Sequence, residues 1–265
     1  MKTGVVRIKN DVSYIIPIGD LHIGDKAFSD NSRSKLNGYL KWVKETPDAR
    51  IILNGDLLNC ATRQSKTSPF EQDMTLEEQI TAVCEFLDPV KDRIVGAVCG
   101  NHEMRIADFS GYDPTLAILW KLGLDTEQIY YKYTGIIKFQ VGSNGVVSEK
   151  ARNTYTVVFT HTTGGGKLIG SKLNRIDQMR HSTVTNADVY IGSHNHSLSA
   201  APVLSMEYDP YNNSILQRKQ TLVSAGSYLE WNDSYAEAMQ LEPMKLGSPR
   251  IRLDGKGEKD VHVSL

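Results

Sequence analysis

Apolar positions in the first hundred residues fall into short runs that alternate with helically spaced stripes. Ser13–Ile18 closes on Gly19-Asp20, Arg50–Asn54 closes on Gly55-Asp56, and Ile94–Cys99 closes on Gly100. Short apolar runs bounded by glycine read as buried strands. Between the first two, residues 29–46 carry Leu36, Leu40 and Val43 at helical spacing, with a Ser or Asp near the start as cap. Between the second and third, Thr75–Val90 places Leu76, Ile80, Val83 and Leu87 on one face, and Thr75-x-x-Glu78 reads as a capping box. Pro114–Leu122 reads as a short helix with proline at its start. This rhythm predicts parallel strands joined by crossover helices, and ligand sites in such sheets lie beyond the carboxyl ends of the strands.

The second half is richer in strand signals. Ile129–Val141 and Thr154–Thr160 are β-prone, with a turn signal at Gly142-Ser143-Asn144-Gly145. Asp188–Ile191 is a short apolar strand leading into His194-Asn195-His196. Ala201–Glu207 and Ile215–Ser224 are spaced to pair across a turn containing Asp209-Pro210-Tyr211-Asn212-Asn213. Together they predict a second sheet against the first. The tail from Leu241, rich in Gly, Pro and charge, reads as a loosely packed extension. The expected organisation is one α/β domain over residues 1–265, with its motifs in a core of about 12–230 and the extension at about 241–265.

Composition narrows the partners. Lys plus Arg is 30 and Asp plus Glu 31, so a formal charge of −1 gives no general pull toward nucleic acid or membrane. Cys60, Cys84 and Cys99 form no CxxC pattern, which favours reduced thiols. Met1-Lys2-Thr3-Gly4 leads into polar sequence without an apolar signal region, and no apolar run approaches the roughly 18–20 residues of a membrane span. A soluble, cytoplasmic protein is the expectation.

The chemistry-bearing residues sit where the strand pattern ends. Five of the seven histidines lie in Asp20-Leu21-His22, Gly100-Asn101-His102-Glu103, Thr160-His161 and Gly192-Ser193-His194-Asn195-His196, and Gly55-Asp56 adds a further carboxylate. This is a nitrogen and oxygen donor set for divalent Mn, Fe, Zn or Ni rather than a thiolate site. It is too large for one tetrahedral ion and suits two ions sharing a carboxylate. Asp20-x-His22, if extended, turns both side chains to one side. Asp56 is suited to bridge ions about 3.5–4 Å apart, a spacing that acidifies a shared water. His102, next to Asn101, is placed to protonate a leaving oxygen or to stabilise charge on a phosphoryl group.

The order Asp-x-His, Gly-Asp, Gly-Asn-His-Glu, a lone His after a strand, and Gly-x-His-x-His resembles the calcineurin-like metallophosphoesterases over residues 18–196. The resemblance implies a two-sheet β-sandwich flanked by helices. It implies one metal on Asp20, His22 and His196, a second on Asn101, His161 and His194, Asp56 as the bridge, and His102 as the catalytic histidine. The sequence departs from the protein Ser/Thr phosphatases of that superfamily, reading Gly55-Asp56-Leu57-Leu58-Asn59-Cys60-Ala61 where they carry Gly-Asp-x-x-Asp-Arg-Gly. It also has Ser193 between Gly192 and His194, where the common form is Gly-His-x-His. It looks more like the phosphodiesterase and nuclease branch, including small stand-alone bacterial and phage members.

The resemblance thus implies a dinuclear, metal-dependent phosphodiesterase, with Mn as the favoured ion. The substrate is a phosphoester, with nucleotides and nucleic acid among the candidates, and a homo-oligomer is compatible. The alternatives are a phosphomonoesterase or protein phosphatase, which Glu103 mildly favours, and a non-catalytic, metal-stabilised binding subunit. Several further residues have both a structural and a functional reading. Glu103 and Arg105 suit supporting pairs or helix caps as well as substrate contacts, and Asn59 suits a turn. The Gly164-Gly165-Gly166-Lys167 stretch with Lys172 and Arg175 suits a solvated loop or a phosphate-facing wall. Arg63, Lys66 and Phe70 belong to a loop of the kind that shapes a pocket rim. Trp42, Trp120 and Trp231 are expected in the core, with Trp231 the one to look for near the site; His181 and His262 match no motif.

Overall fold

The apolar run of positions 12–18 forms strand β2 (Val12–Ile18), and the capped stripe after it forms helix α1 (Asp30–Glu45), whose Ser29 side chain accepts from the backbone of Asn31 and Ser32. This computed structural model describes residues 1–265 apart from 64, 66–69, 71, 143–152, 165, 167, 233, 239 and 241. The pattern continues with β3 (Ala49–Asn54), α2 (Leu76–Leu87) and β4 (Ile94–Val98). The capping box at Thr75 and Glu78 is formed. Helices α3 (Asn101–Ser110), α4 (Pro114–Lys121) and α5 (Thr126–Ile129) follow, and then β5 (Tyr130–Lys132).

The architecture is mixed α/β, with two mixed six-stranded sheets, each flanked by helices. In the first sheet, β1 (Lys2–Ile8), β6 (Thr134–Val141), β7 (Asn153–Thr160), β8 (Val189–Gly192), β10 (Ser214–Ala225) and β9 (Leu198–Asp209) lie in that order. In the second the order is β12 (Val261–Ser264), β11 (Arg250–Asp254), β2, β3, β4, β5. Strands β2, β3 and β4 are parallel, as are β7 and β8. One core cluster joins the two sheets, with Ile15, Ile52 and Val98 from one side and Phe139, Tyr155, Val157, Phe159 and Ile191 from the other, all buried. Each such side chain contributes about 1.5–3 kcal/mol by leaving water. A second cluster sets α1, α2 and α4 on the outer face of β2–β4 through Leu36, Leu40, Val43, Ile80, Val83 and Ile118. Helix α6 (Ile169–Ser182) covers the outer face of the first sheet, with Ile176 and Met179 against Val158, Tyr190 and Leu222.

Several expectations need correction. The tail beyond residue 241 is not a loose extension: β11 pairs antiparallel with β2, setting Ile251 opposite Ile15, and Ile251 and Leu253 are fully buried. The β-prone stretch 129–141 is divided. Ile129 ends α5, β5 joins the second sheet, and a break at Lys132, whose φ is 64°, sends β6 into the first. Trp120 projects from α4 with 64% of its surface exposed, because Ile118 and Leu119 take the inward positions of that helix. Trp42 is half-buried against Tyr14. Helices α3 and α6 and strand β1 were not anticipated. The β9–β10 hairpin forms as expected, with Tyr208 opposite Ile215. Of the turn proposed at Gly142–Gly145, positions 143–145 lie outside the described residues. Among the described residues no helix is long and apolar enough to cross a membrane.

Candidate metal centre

The carboxyl ends of β2, β3 and β4 reach one edge of the molecule together, since Ile18 is opposite Leu53 and Asn54 opposite Val98. In the other sheet Thr160 is opposite Gly192. Asn54 joins the two edges by donating its Nδ2 to the Thr160 carbonyl at 3.1 Å and to Ser193 Oγ at 3.0 Å. The loops leaving these strands are then stitched to one another. Asp20 N donates to Gly55 O, Leu21 N and His22 N donate to Asp56 O, and Ile23 N donates to Leu57 O, at 2.9–3.1 Å.

The loops do not continue the extended conformation. Asp20, His22, Asp56, His194 and His196 all have positive φ, between 49° and 77°. The reading of Asp20-x-His22 as an extended pair is therefore corrected: both are left-handed, because Leu21 and His22 must turn their N–H groups onto a single carbonyl, that of Asp56. Non-glycine residues in this region cost on the order of 1–3 kcal/mol each and persist where surrounding bonds hold them. The approach is tight enough to require glycine. A Cβ on Gly100 would stand 2.1 Å from Asp56 N, and one on Gly55 2.7 Å from Gly100 Cα.

These strained loops bring all seven candidate ligands together. Asp20, His22 and His196 form one group: His22 Nε2 lies 3.2 Å from His196 Nε2 and 3.9 Å from Asp20 Oδ1. Asp56, His161 and His194 form a second, with His161 Nε2 3.2 Å from Asp56 Oδ2. Asn101 Oδ1 lies 3.0 Å from the same ring nitrogen. Two donors each about 2.1 Å from one ion stand about 3.0–3.4 Å apart at octahedral or tetrahedral angles, which the 3.0–3.2 Å pairs here match, while His22 Nε2 and Asp20 Oδ1 at 3.9 Å stand wider. Asp56 Oδ2 belongs to both neighbourhoods, lying 3.8 Å from His22 Nε2 as well. Its other oxygen accepts the backbone N–H of His102 at 2.8 Å, so a single oxygen faces both groups.

The donors are oriented from behind. His161 Nδ1 lies 3.0 Å from the Asn54 carbonyl and 2.9 Å from Ser193 Oγ. A carbonyl can only accept, so Nδ1 carries a proton, and Nε2 is the nitrogen that faces the cluster. Ser193, the inserted residue of the last motif, is fully buried. His194 N donates to Asp20 Oδ2 at 2.8 Å, which fixes the first carboxylate against the last motif. Glu103 is also fully buried and clamps two loops: Oε2 accepts from Asp56 N and Gly100 N at 3.0 Å, and Oε1 from Leu58 N at 2.9 Å. His102 is the third kind of group. Its Nδ1 meets the Asn59 carbonyl at 2.5 Å, and its Nε2 lies 4.0 Å from Asp56 Oδ2. Asn59 thus acts through its backbone, as a turn residue that aims a histidine.

The electrostatics of the cluster suit bound cations. Burial holds Asp20 well above the ordinary carboxylate range and raises Glu103 to about 7. Burial opposes charge on Asp56 and His161 as well, but their mutual attraction outweighs it, holding Asp56 low and raising His161 to about 10. Burial and the neighbouring imidazoles hold His22 and His196 below the ordinary histidine value. Three buried carboxyl groups thus face one imidazolium, and Asp20 Oδ1 is buried without a hydrogen-bond partner. Uncompensated buried carboxylates are costly, and divalent ions offset them. The buried Asp and His clusters could hold metal ions, and their donor chemistry fits that role.

The clusters open into a cleft of about 620 Å³. Arg105 and Lys172 line it, as do Ser65 and Gly166. Trp231 lines it too and is half-buried at its wall rather than in the core. Arg63, Phe70 and Arg175 are exposed and are not among the lining residues. Lys66, Gly165 and Lys167 lie outside the described residues. His181 sits exposed on α6, 3.9 Å from Asp177, and His262 is exposed on β12. Sequence reasoning missed Asn54 and Ser193 as supports; the signal available was that each directly precedes a motif position. No protein-family model matches the chain, and no curated protein is found to be similar to it.

Proposed function

We propose that this protein is a dinuclear metal-dependent phosphoesterase of calcineurin-like architecture, acting on phosphodiesters. The observation that carries the reading is the position of Asp56 Oδ2, shared by two groups of histidine and carboxylate donors. Asp20, His22 and His196 would hold one ion, and Asn101, His161 and His194 the other, with Asp56 between them. Two divalent cations, Mn²⁺ foremost, would supply Lewis acidity toward a phosphoryl oxygen and acidify a water at neutral pH.

The chain's own residues supply the rest. The loops place the donors before substrate arrives, because their backbone bonds fix them. His102, anchored through Nδ1 on the Asn59 carbonyl, presents Nε2 to the cleft. Protonated there, it gives its proton to the departing oxygen, and unprotonated it takes one back. With a net charge of −1, long nucleic acid would have to be held by local cations rather than by a general field.

The test is the initial rate on bis-p-nitrophenyl phosphate and p-nitrophenyl phosphate, using metal-stripped protein with and without Mn²⁺. Metal-restored cleavage favouring the diester is expected, together with a fall of about 10³-fold or more in Asp56→Asn protein. Preference for the monoester would move the assignment to a phosphomonoesterase. Silence on both substrates with two ions bound would favour a metal-stabilised binding subunit.

A further inference from the structure

Lys172 is the odd cation of the cleft. It sits near the start of α6 with 5% of its surface exposed, and its backbone carbonyl accepts from Asn195 Nδ2 at 3.4 Å. That bond ties the helix to the His194–His196 loop. Its ammonium makes no hydrogen bond and no ion pair among the described residues; the nearest acidic influence is that of Glu242, which is exposed. Its stem is enclosed while its ammonium keeps contact with the solvent of the cleft and has no anionic partner within bonding distance, an arrangement that suits an anion brought by a ligand. Burial lowers its pKa from the ordinary lysine value, which agrees with an ammonium short of compensation. Arg105 flanks the other side of the cluster, one helical turn beyond His102 on α3, and lines the same cleft.

Part of the cleft wall is apolar, interspersed with Ser227, Ser234, Glu242 and Lys245. Ala27, Leu229, Trp231, Ala236, Met244 and Leu246 all line the cleft. This wall is fixed to the metal floor. Tyr228 N and Ser227 Oγ donate to Asp20 O at 3.2 and 3.1 Å, Glu230 N donates to Ala27 O at 3.0 Å, and Gly247 N donates to Ser227 O at 2.9 Å. A space of about 620 Å³ is of the size that takes a whole small organic molecule, far more than one phosphoryl group fills. Trp231, half-buried in this lining, adds aromatic surface of the kind that suits a flat ring.

We propose that the cleft selects phosphoesters whose organic group is planar and largely apolar, seated against Trp231, Met244 and Leu246, while Lys172 anchors a phosphoryl oxygen from the side of the His194–His196 loop. The inference rests on the phosphoesterase reading for the position of the phosphorus, and it adds the substrate class. The planar group is an aryl or heteroaryl ester.

Binding tests it apart from turnover. Mn²⁺-loaded protein is titrated calorimetrically with phenylphosphonate and with methylphosphonate, which share the anion and differ only in the ring. Wild-type protein is expected to bind the phenyl compound about tenfold tighter, and Trp231→Ala or Leu246→Ala to bring the ratio within about twofold at unchanged metal content. Lys172→Met is expected to weaken both ligands by about tenfold, and Lys172→Arg to recover part of that loss. Equal wild-type affinities, or a ratio unmoved in both wall variants, would overturn the planar-group assignment. Unchanged affinities in Lys172→Met would overturn the anchor. Ring preference in a protein that cleaves no phosphoester would keep this inference and sink the phosphoesterase reading; turnover without ring preference would do the reverse.

Discussion

The loops on the floor of the cleft and the 227–246 segment on its rim meet at Asp20 yet are built differently. On the floor, Asp20, His22, Asp56, His161 and Glu103 are buried, three of them have left-handed backbones, and hydrogen bonds tie each loop to another. On the rim, Trp231, Ala236, Met244 and Leu246 are half-buried, and the segment is tied down mainly through Ser227, Tyr228 and Gly247. The floor holds its donor atoms through hydrogen bonds between loops. The rim offers apolar area whose exact shape matters less. On the proposed reading the difference separates chemistry from selection: changes below should cost stability and metal affinity, while changes above should alter which ligand binds.

Glu103→Ala should break this contrast most sharply. It strands the buried N–H groups of Asp56, Leu58 and Gly100, each worth about 1–3 kcal/mol when unsatisfied. With some relief from entering water, a loss of about 3–5 kcal/mol in the unfolding free energy of metal-free protein is expected, read from urea denaturation. Glu103→Gln keeps one acceptor oxygen and should recover part of the loss. Trp231→Ala, half-buried on the rim, should cost about 1–2 kcal/mol in the same measurement. Equal costs for Glu103→Ala and Trp231→Ala would erase the distinction between floor and rim.

Leu253→Ala sharpens the comparison from a third direction. Strand β11 backs β2, the strand that delivers Asp20, and Leu253 is fully buried in the core between the sheets. A loss of about 2–4 kcal/mol is expected, with metal stoichiometry unchanged, because the cavity lies away from the donors. A loss under about 0.5 kcal/mol would return this tail to the loose extension that its composition suggests.

What could be read from the sequence follows the same division. The floor was legible because its donors stand directly after apolar runs, and the topology of parallel strands then gathers them without any knowledge of side-chain positions. Strand β11 was not, because Arg250-Ile251-Arg252-Leu253-Asp254 offers two apolar residues inside a charged, glycine-rich tail, and only its partner β2 makes it a core strand. Helix α3 was hidden because its buried residue is Glu103 rather than an apolar stripe. In α6 the basic residues masked the spacing of Ile176 and Met179. The left-handed backbones were invisible for a related reason. Asp and His enter that region more readily than most non-glycine residues, but residue type alone does not place them there, and here hydrogen bonds from loops distant in sequence impose it.

Ser193 gives the finest test, because it supports a donor without being one. Its hydroxyl lies 2.9 Å from His161 Nδ1 and also donates to the Asn54 carbonyl, the same carbonyl that His161 contacts at 3.0 Å. Removing the hydroxyl leaves that carbonyl in place, so the tautomer survives while one restraint on ring orientation is lost. Groups that orient a ligating histidine are worth about 10–100-fold in metal affinity. Because one restraint remains, Ser193→Ala should sit at the lower end, about tenfold weaker for one ion and unchanged for the other, in competition titrations against a chelator. Trp231→Ala should leave both affinities where they are. If Ser193→Ala weakened both ions equally, the two donor groups would share more than Asp56, and His161 could no longer be assigned to one of them. If it weakened neither, the Asn54 carbonyl alone would suffice to hold His161, and the serine between Gly192 and His194 would serve only the link between the sheets through Asn54 Nδ2.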